Sequence, residues 1–76
     1  MEMQEFIKKF ADVFEETDAE VFTPETKFRE LEEWSSFLAL SVMAMCGDEY
    51  DVNLSAQEMR EAQTVQDVYN AVAAKQ

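Results

Sequence analysis

Histidine is absent from this 76-residue chain, and cysteine, glycine and proline occur once each, as Cys46, Gly47 and Pro24. Without histidine, a nucleophilic serine lacks its usual base, so no serine here reads as part of a catalytic triad. One cysteine and no histidines cannot build the usual zinc site. A lone thiol also allows no internal disulfide framework. Cations are few: six Lys and Arg stand against 17 Asp and Glu, a formal net charge of −11. Nucleic acid is therefore not an expected partner, because phosphate contacts need clustered positive charge. No basic-plus-apolar leader opens the sequence, and the longest near-apolar run, Phe37 to Cys46, is half of what spans a bilayer. The expectation is a cytoplasmic protein with no membrane span.

What is present argues for a folded domain. Apolar residues make up 47% of the chain and aromatics 12%, too many for a solvating acidic tail. One domain over residues 1–76 is expected, with a core only just large enough to hold it. Self-repulsion should keep it monomeric and soluble while weakening it at low salt. The 17 acids read as solvated faces rather than a general acid–base pair. Asp51-Val52-Asn53-Leu54-Ser55 begins like a calcium loop, but Ala56 stands at the sixth position and Ala62 at the twelfth, where that loop needs glycine and glutamate. No metal site is expected beyond weak, unspecific divalent binding by the acids.

The hydrophobic period is helical, and the predicted class is all-α: a four-helix bundle with a long first loop and a very short third helix. Met3, Phe6, Ile7, Phe10, Val13 and Phe14 share one face of a first helix of about four turns. Lys8, Lys9, Asp12, Glu15 and Glu16 fall on its other face. Thr17 to Lys27 reads as a loop, with Pro24 and the β-branched Val21, Thr23 and Thr26 working against helix. Phe22, Phe28 and Leu31 are expected to pin it to the core. A second helix starts at Ser35 or Ser36 as N-cap and runs to about Tyr50. Its wheel puts Ala39, Val42, Met43 and Cys46 on one side. Phe37, Ser41, Ala44 and Asp48 fall opposite, with Leu38 and Met45 at the flank. Asp51 to Leu54 reads as an extended connector. Ser55 to Arg60 forms one or two turns, with Glu58 completing a capping box on Ser55. A last helix starts at Thr64, turns Val65, Val68, Tyr69 and Val72 inward, and carries Lys75 near its negative end.

Chemistry concentrates at Glu33-Trp34-Ser35-Ser36-Phe37-Leu38, where polar residues run into the apolar second helix. Ser36 is either a helix-start residue or an attachment point for a group supplied from outside. Cys46 reads first as a small buried hydrophobe, and otherwise as a reactive thiol whose acidic surroundings would raise its pKa. Met43, Met45 and Met59 read as core filler whose flexibility would suit a core that opens for a guest chain.

The order of these features resembles a known family. Thr23-Pro24-Glu25-Thr26-Lys27-Phe28-Arg29-Glu30-Leu31 looks like the loop of acyl carrier proteins that leads to their modified serine. Ser35-Ser36-Phe37 stands where that family usually has Asp-Ser-Leu. The step Glu49-Tyr50-Asp51-Val52-Asn53-Leu54 and the start Thr64-Val65-Gln66-Asp67-Val68 match the remainder in order and spacing. The resemblance implies a four-helix bundle and no catalysis of its own. It also implies a 4′-phosphopantetheine cofactor, joined covalently by a phosphodiester to the serine hydroxyl and carrying an acyl group as a thioester. Counting back from Tyr50, the modified position falls on Ser36, and Ser35 takes the aspartate's place as cap. Implied partners are a phosphopantetheinyl transferase, an acyl-loading ligase or acyltransferase, and a downstream synthase or transferase.

The departures have consequences. Leu38, Ser41 and Gly47 stand where the family often carries acids, so the outer face of the second helix is less acidic than usual. Carrier partners commonly dock there through basic patches, and the change leans towards a specialised pathway with its own loading enzyme. Trp34 is either an exposed contact for such a partner or a ring folded over Phe28 or Leu31. The alternative function is an acidic helical interaction module that never carries a prosthetic group.

Overall fold

The computed structural model describes residues 1–76, and four α-helices organise it: α1 (Met3–Asp12), α2 (Ser36–Tyr50), α3 (Ala56–Glu61) and α4 (Val65–Lys75). The fold is all-helical, as predicted, and no helix is long and apolar enough to cross a membrane. The core is built on phenylalanine. Phe6, Phe10, Phe14, Phe22 and Phe28 are buried, and α2, the connector and α4 add Val42, Cys46, Leu54, Val65, Val68 and Val72. Ring centroids lie 4.9 Å apart for Phe14 and Phe22 and 5.4 Å for Phe10 and Phe28. Phe22 thus anchors the long loop between Phe10 and Phe14, and Phe28 packs on Phe10 and Trp34.

α1 is shorter than the pattern predicts. It has 10 residues rather than about four turns, although Phe14 beyond its end is still buried. Two interactions account for this. The chain first tightens, with the N–H of Phe14 donating to the Ala11 carbonyl at 2.9 Å. The Glu33 carboxylate then captures the next donors: the Glu15 N–H at 2.8 Å, the Glu16 N–H at 3.1 Å and the Thr17 hydroxyl at 2.8 Å. Those amides cannot also continue an i→i−4 ladder. Lys9 likewise leaves the outer face assigned to it. Half-buried, it reaches Glu49 on α2 at 3.1 Å and lies over the Tyr50 ring.

The loop is not featureless. Ala19–Val21 forms a short 3₁₀ turn capped by the Asp18 side chain, and Phe28–Glu30 forms a second. Its carbonyls also serve α4: Thr26 accepts from the Val65 N–H at 3.1 Å and Pro24 from the Gln66 N–H at 2.9 Å. First-turn amides that would otherwise need water are thereby satisfied.

α2 begins after Ser35 and ends at Tyr50, as expected, but it is rotated relative to the predicted wheel. Leu38, placed at the flank, is core at 5% exposure, while Leu40 is 64% exposed. The buried line is Leu38–Val42–Cys46, so the core-facing direction turns by roughly 50° from the predicted one at 100° per residue. A helix apolar on every side carries little contrast from which to orient it. Asp51, read as the start of an extended connector, instead closes α2 in the left-handed conformation (φ 56°, ψ 40°). The Asp51 N–H then reaches the Gly47 carbonyl at 3.2 Å, the five-residue closure of an αL cap, and the Val52 N–H reaches the Cys46 carbonyl at 3.2 Å.

α3 follows with the predicted Ser55–Glu58 capping box, and α4 carries a second one between Thr64 and Asp67. Lys75 pairs with Glu58 at 2.8 Å and donates to the Asn53 carbonyl at 3.1 Å, tying the end of α4 to the connector.

Candidate functional site

The first turn of α2 is set by its approach. The Trp34 N–H donates to the Leu31 carbonyl at 3.0 Å, and Glu33 is clamped to the segment after α1. Burial alone would push the Glu33 carboxyl up. The hydrogen bonds from the Thr17 hydroxyl and from the N–H groups of Glu15 and Glu16 outweigh it and hold the group below the usual range. The Trp34 ring packs edge-on against Phe28 at 4.7 Å and stacks near Phe14 at 6.1 Å. Of its two readings, the ring that closes the loop is therefore the one the structure shows.

The two serines then divide. Ser35 has extended backbone, and its hydroxyl accepts from the Leu38 N–H at 3.3 Å, which makes it the N-cap. Ser36 is the first helical residue. It is exposed, and its hydroxyl makes no hydrogen bond within the chain. The N–H groups of Ser36 and Phe37 likewise find no partner in the chain and remain open to a ligand. Charge is arranged to match. α1, α3 and α4 carry an acid in their first turns (Glu5, Glu58 and Asp67), whereas α2 carries none. In a chain with 17 acids, the one helix whose positive end is left without a carboxylate is the one that begins at Ser36.

Two surfaces flank this serine. On one side lies a cleft of about 570 Å3 between α2 and α3, whose lining includes Trp34, Ser36, Ala39, Leu40, Met43 and Met59. On the outer side of α2, Phe37 is 74% exposed and continues through Leu40, Ala44 and Gly47. The predicted wheel assigns Leu40 to neither face. Cys46 takes no part: it is fully buried, and burial pushes its thiol up to about 11, which makes it the small hydrophobe of the first reading.

Comparison with protein families is decisive about the class. The family model for the phosphopantetheine attachment site matches residues 4–72. The chain belongs to that family. Comparison with curated proteins gave no match. Membership makes the chain a carrier with 4′-phosphopantetheine attached covalently, not an enzyme. The residues present fit such a group. An exposed hydroxyl at a helix N-terminus, unbonded amides beside it and no nearby carboxylate in the turn suit a phosphodiester anion. Carrier domains work through modifying and synthase enzymes, so the surfaces beside the arm are the ones those enzymes must cover.

Proposed function

We propose that Ser36 is the attachment residue and that the chain is an acyl carrier protein. It holds an acyl intermediate as a thioester on the 4′-phosphopantetheine arm and passes it between enzymes of a dedicated biosynthetic pathway. The observation that carries the assignment is the division of labour between the two serines. Ser35 is committed to capping Leu38, while Ser36 presents a free hydroxyl. No side chain of the protein hydrogen-bonds that hydroxyl, so the base that takes its proton must come from the phosphopantetheinyl transferase. A phosphodiester formed there gains the amides and the positive end of α2.

The outer face of α2 supports a specialised set of partners. Phe37 and Leu40 are exposed beside Ser36, and no acid occurs on α2 before Asp48. Docking there draws on buried apolar area more than on charge pairing. A loading ligase or acyltransferase and a downstream synthase or transferase would each need an apolar depression that receives Phe37.

Intact-protein mass spectrometry after incubation with a broad-specificity phosphopantetheinyl transferase and coenzyme A tests the assignment. One phosphopantetheine should be added to the natural chain and to Ser35→Ala, and none to Ser36→Ala. Modification that persists in Ser36→Ala would overturn the site.

A further inference from the structure

The cleft beside Ser36 has a charge composition unlike the rest of the protein. Its polar lining consists of Ser35, Ser36, Arg29 and Arg60, and no carboxylate lines it, although the chain has 17 acids and only six cations. Neither arginine is neutralised. Every ion pair in the protein uses Lys9 or Lys75. Arg29 donates to the carbonyls of Met59 and Ala62 and lies beside the Phe28 and Trp34 rings, so its charge is fixed in place but faces only neutral acceptors. Arg60 makes no hydrogen bond or ion pair within the chain and is exposed at the cleft. Of the six cations, four have no carboxylate partner, and two of these, Arg29 and Arg60, flank this one apolar cleft, which makes it complementary to an anion with a hydrocarbon body.

We propose that the cleft between α2 and α3 selects an acyl cargo whose far end is anionic, a carboxylate in the simplest case, with Arg60 as the recognising cation. The proposal rests on the carrier reading, because the arm on Ser36 is what delivers the cargo. The hydrocarbon part would lie against Ala39, Leu40, Met43 and Met59, and the carboxylate would meet the guanidinium at the rim. A cleft of about 570 Å3 is in the range of small-molecule sites, about 300–1,000 Å3. A plain alkyl cargo would use the same wall but leave the cation without a partner. The arm's own phosphate is the other anion within reach of the same chemistry, and the test separates the two.

The full chain is loaded on Ser36 with unacylated, hexanoyl- or adipoyl-phosphopantetheine from the corresponding coenzyme A derivatives, adenosine 3′,5′-bisphosphate leaving, and loading is verified by mass. Amide hydrogen exchange is then followed through α3 at low salt, in the natural chain and in Arg60→Gln. Residues of α3 should exchange about two- to fivefold more slowly in the adipoyl form than in the hexanoyl form, the range an exposed ion pair supplies. Arg60→Gln should bring the two acylated forms together. Equal protection in both acylated forms, or an adipoyl advantage that survives Arg60→Gln, overturns the proposal. If the Arg60-dependent protection is already complete in the unacylated loaded form relative to the unmodified chain, the anion is the phosphate, and the cargo assignment falls. Failure of the unacylated arm to load on Ser36 overturns the Ser36 assignment on which the proposal rests, an outcome the mass measurement reads separately.

Discussion

Ser35 and Ser36 are adjacent and chemically identical, yet the proposed assignment gives them separable roles that two measurements can read independently. Ser35→Ala removes the acceptor for the Leu38 N–H at the start of α2. That hydrogen bond is 3.3 Å long, beyond the usual 2.9–3.0 Å, which places the loss at the low end of cap substitutions, about 0.5–1 kcal/mol. For a domain of this size, about 1 kcal/mol moves the melting temperature by about 4–8 °C. Ser35→Ala should therefore melt about 2–8 °C below the natural chain and still accept phosphopantetheine. Ser36→Ala removes a hydroxyl with no partner and introduces the best helix former at the first helical position. Its melting temperature should stay within the spread of surface substitutions, about ±0.5 kcal/mol, while loading is abolished. Ser35→Asp serves as the control. It keeps a capping oxygen and adds charge at the positive end of the dipole, so stability should match or exceed that of the natural chain. Thermal melts by circular dichroism on unmodified protein, paired with intact mass after loading, give both readouts. If Ser36→Ala melts as low as Ser35→Ala is predicted to, and Ser35→Ala does not, the cap lies one residue further on and the division of roles is wrong.

Three further outcomes follow from packing and charge. Leu38→Ala should cost about 2–4 kcal/mol because Leu38 is core, whereas Leu40→Ala should stay within about 0.5 kcal/mol; equal losses in chemical denaturation would refute the orientation of α2. The carboxyls of Glu33, Glu58 and Asp67 are held below their usual ranges by hydrogen bonds, with the Lys75 contact leading at Glu58. Groups depressed in the folded state stabilise it fully above their unfolded pKa values, about 3.9–4.3, and lose that contribution as pH falls through the folded values. Melting temperature should thus hold or rise slightly as repulsion eases from pH 7 towards about 5, then fall below about pH 4. A melting temperature still climbing at pH 3 would mean that repulsion outweighs these hydrogen bonds. At neutral pH, moderate salt or millimolar magnesium should raise the melting temperature, since only two of the six cations are paired with carboxylates. Identical melts at very low and moderate salt would show that the acids are spread too widely to repel.

Local signals in the sequence were enough to place most of the fold. Ser55 with Glu58 and Thr64 before Val65 are start signals that act within one turn, and both helices begin where those residues stand. The phenylalanines at 3.6-residue spacing located α1, and the lone Pro24 with its β-branched neighbours located the long loop. What could not be read was set by partners distant in sequence. α1 stops early because Glu33, 18 residues beyond Glu15, accepts the amides that would have extended it. The amides at the start of α4 are satisfied by carbonyls of Thr26 and Pro24, about forty residues before it in the chain. A carboxylate that serves as a clamp and one that faces solvent look alike in a chain this acidic.

The candidate site was legible for a related reason, and illegible in one respect. A cap and an attachment residue must sit at a helix start, so a serine pair at a polar-to-apolar boundary narrows the position to two adjacent residues. The exposed face next to it depends on the rotation of α2, and rotation is read from contrast between faces. From Phe37 to Gly47, α2 offers almost none, with Ser41 its one polar side chain. The core resolves the ambiguity: Phe6, Phe10 and Phe28 are buried without residue, and α2 completes that core with the line through Leu38, Val42 and Cys46. Turning α2 to bury Leu40 instead would move Leu38 towards solvent and leave the aromatic cluster uncovered, at about 25 cal/mol for each Å2 of apolar surface returned to water. Phe37 and Leu40 are consequently outside because the interior is already filled. Their exposure beside Ser36 is a by-product of packing, and an enzyme approaching an arm on Ser36 would meet it as apolar surface.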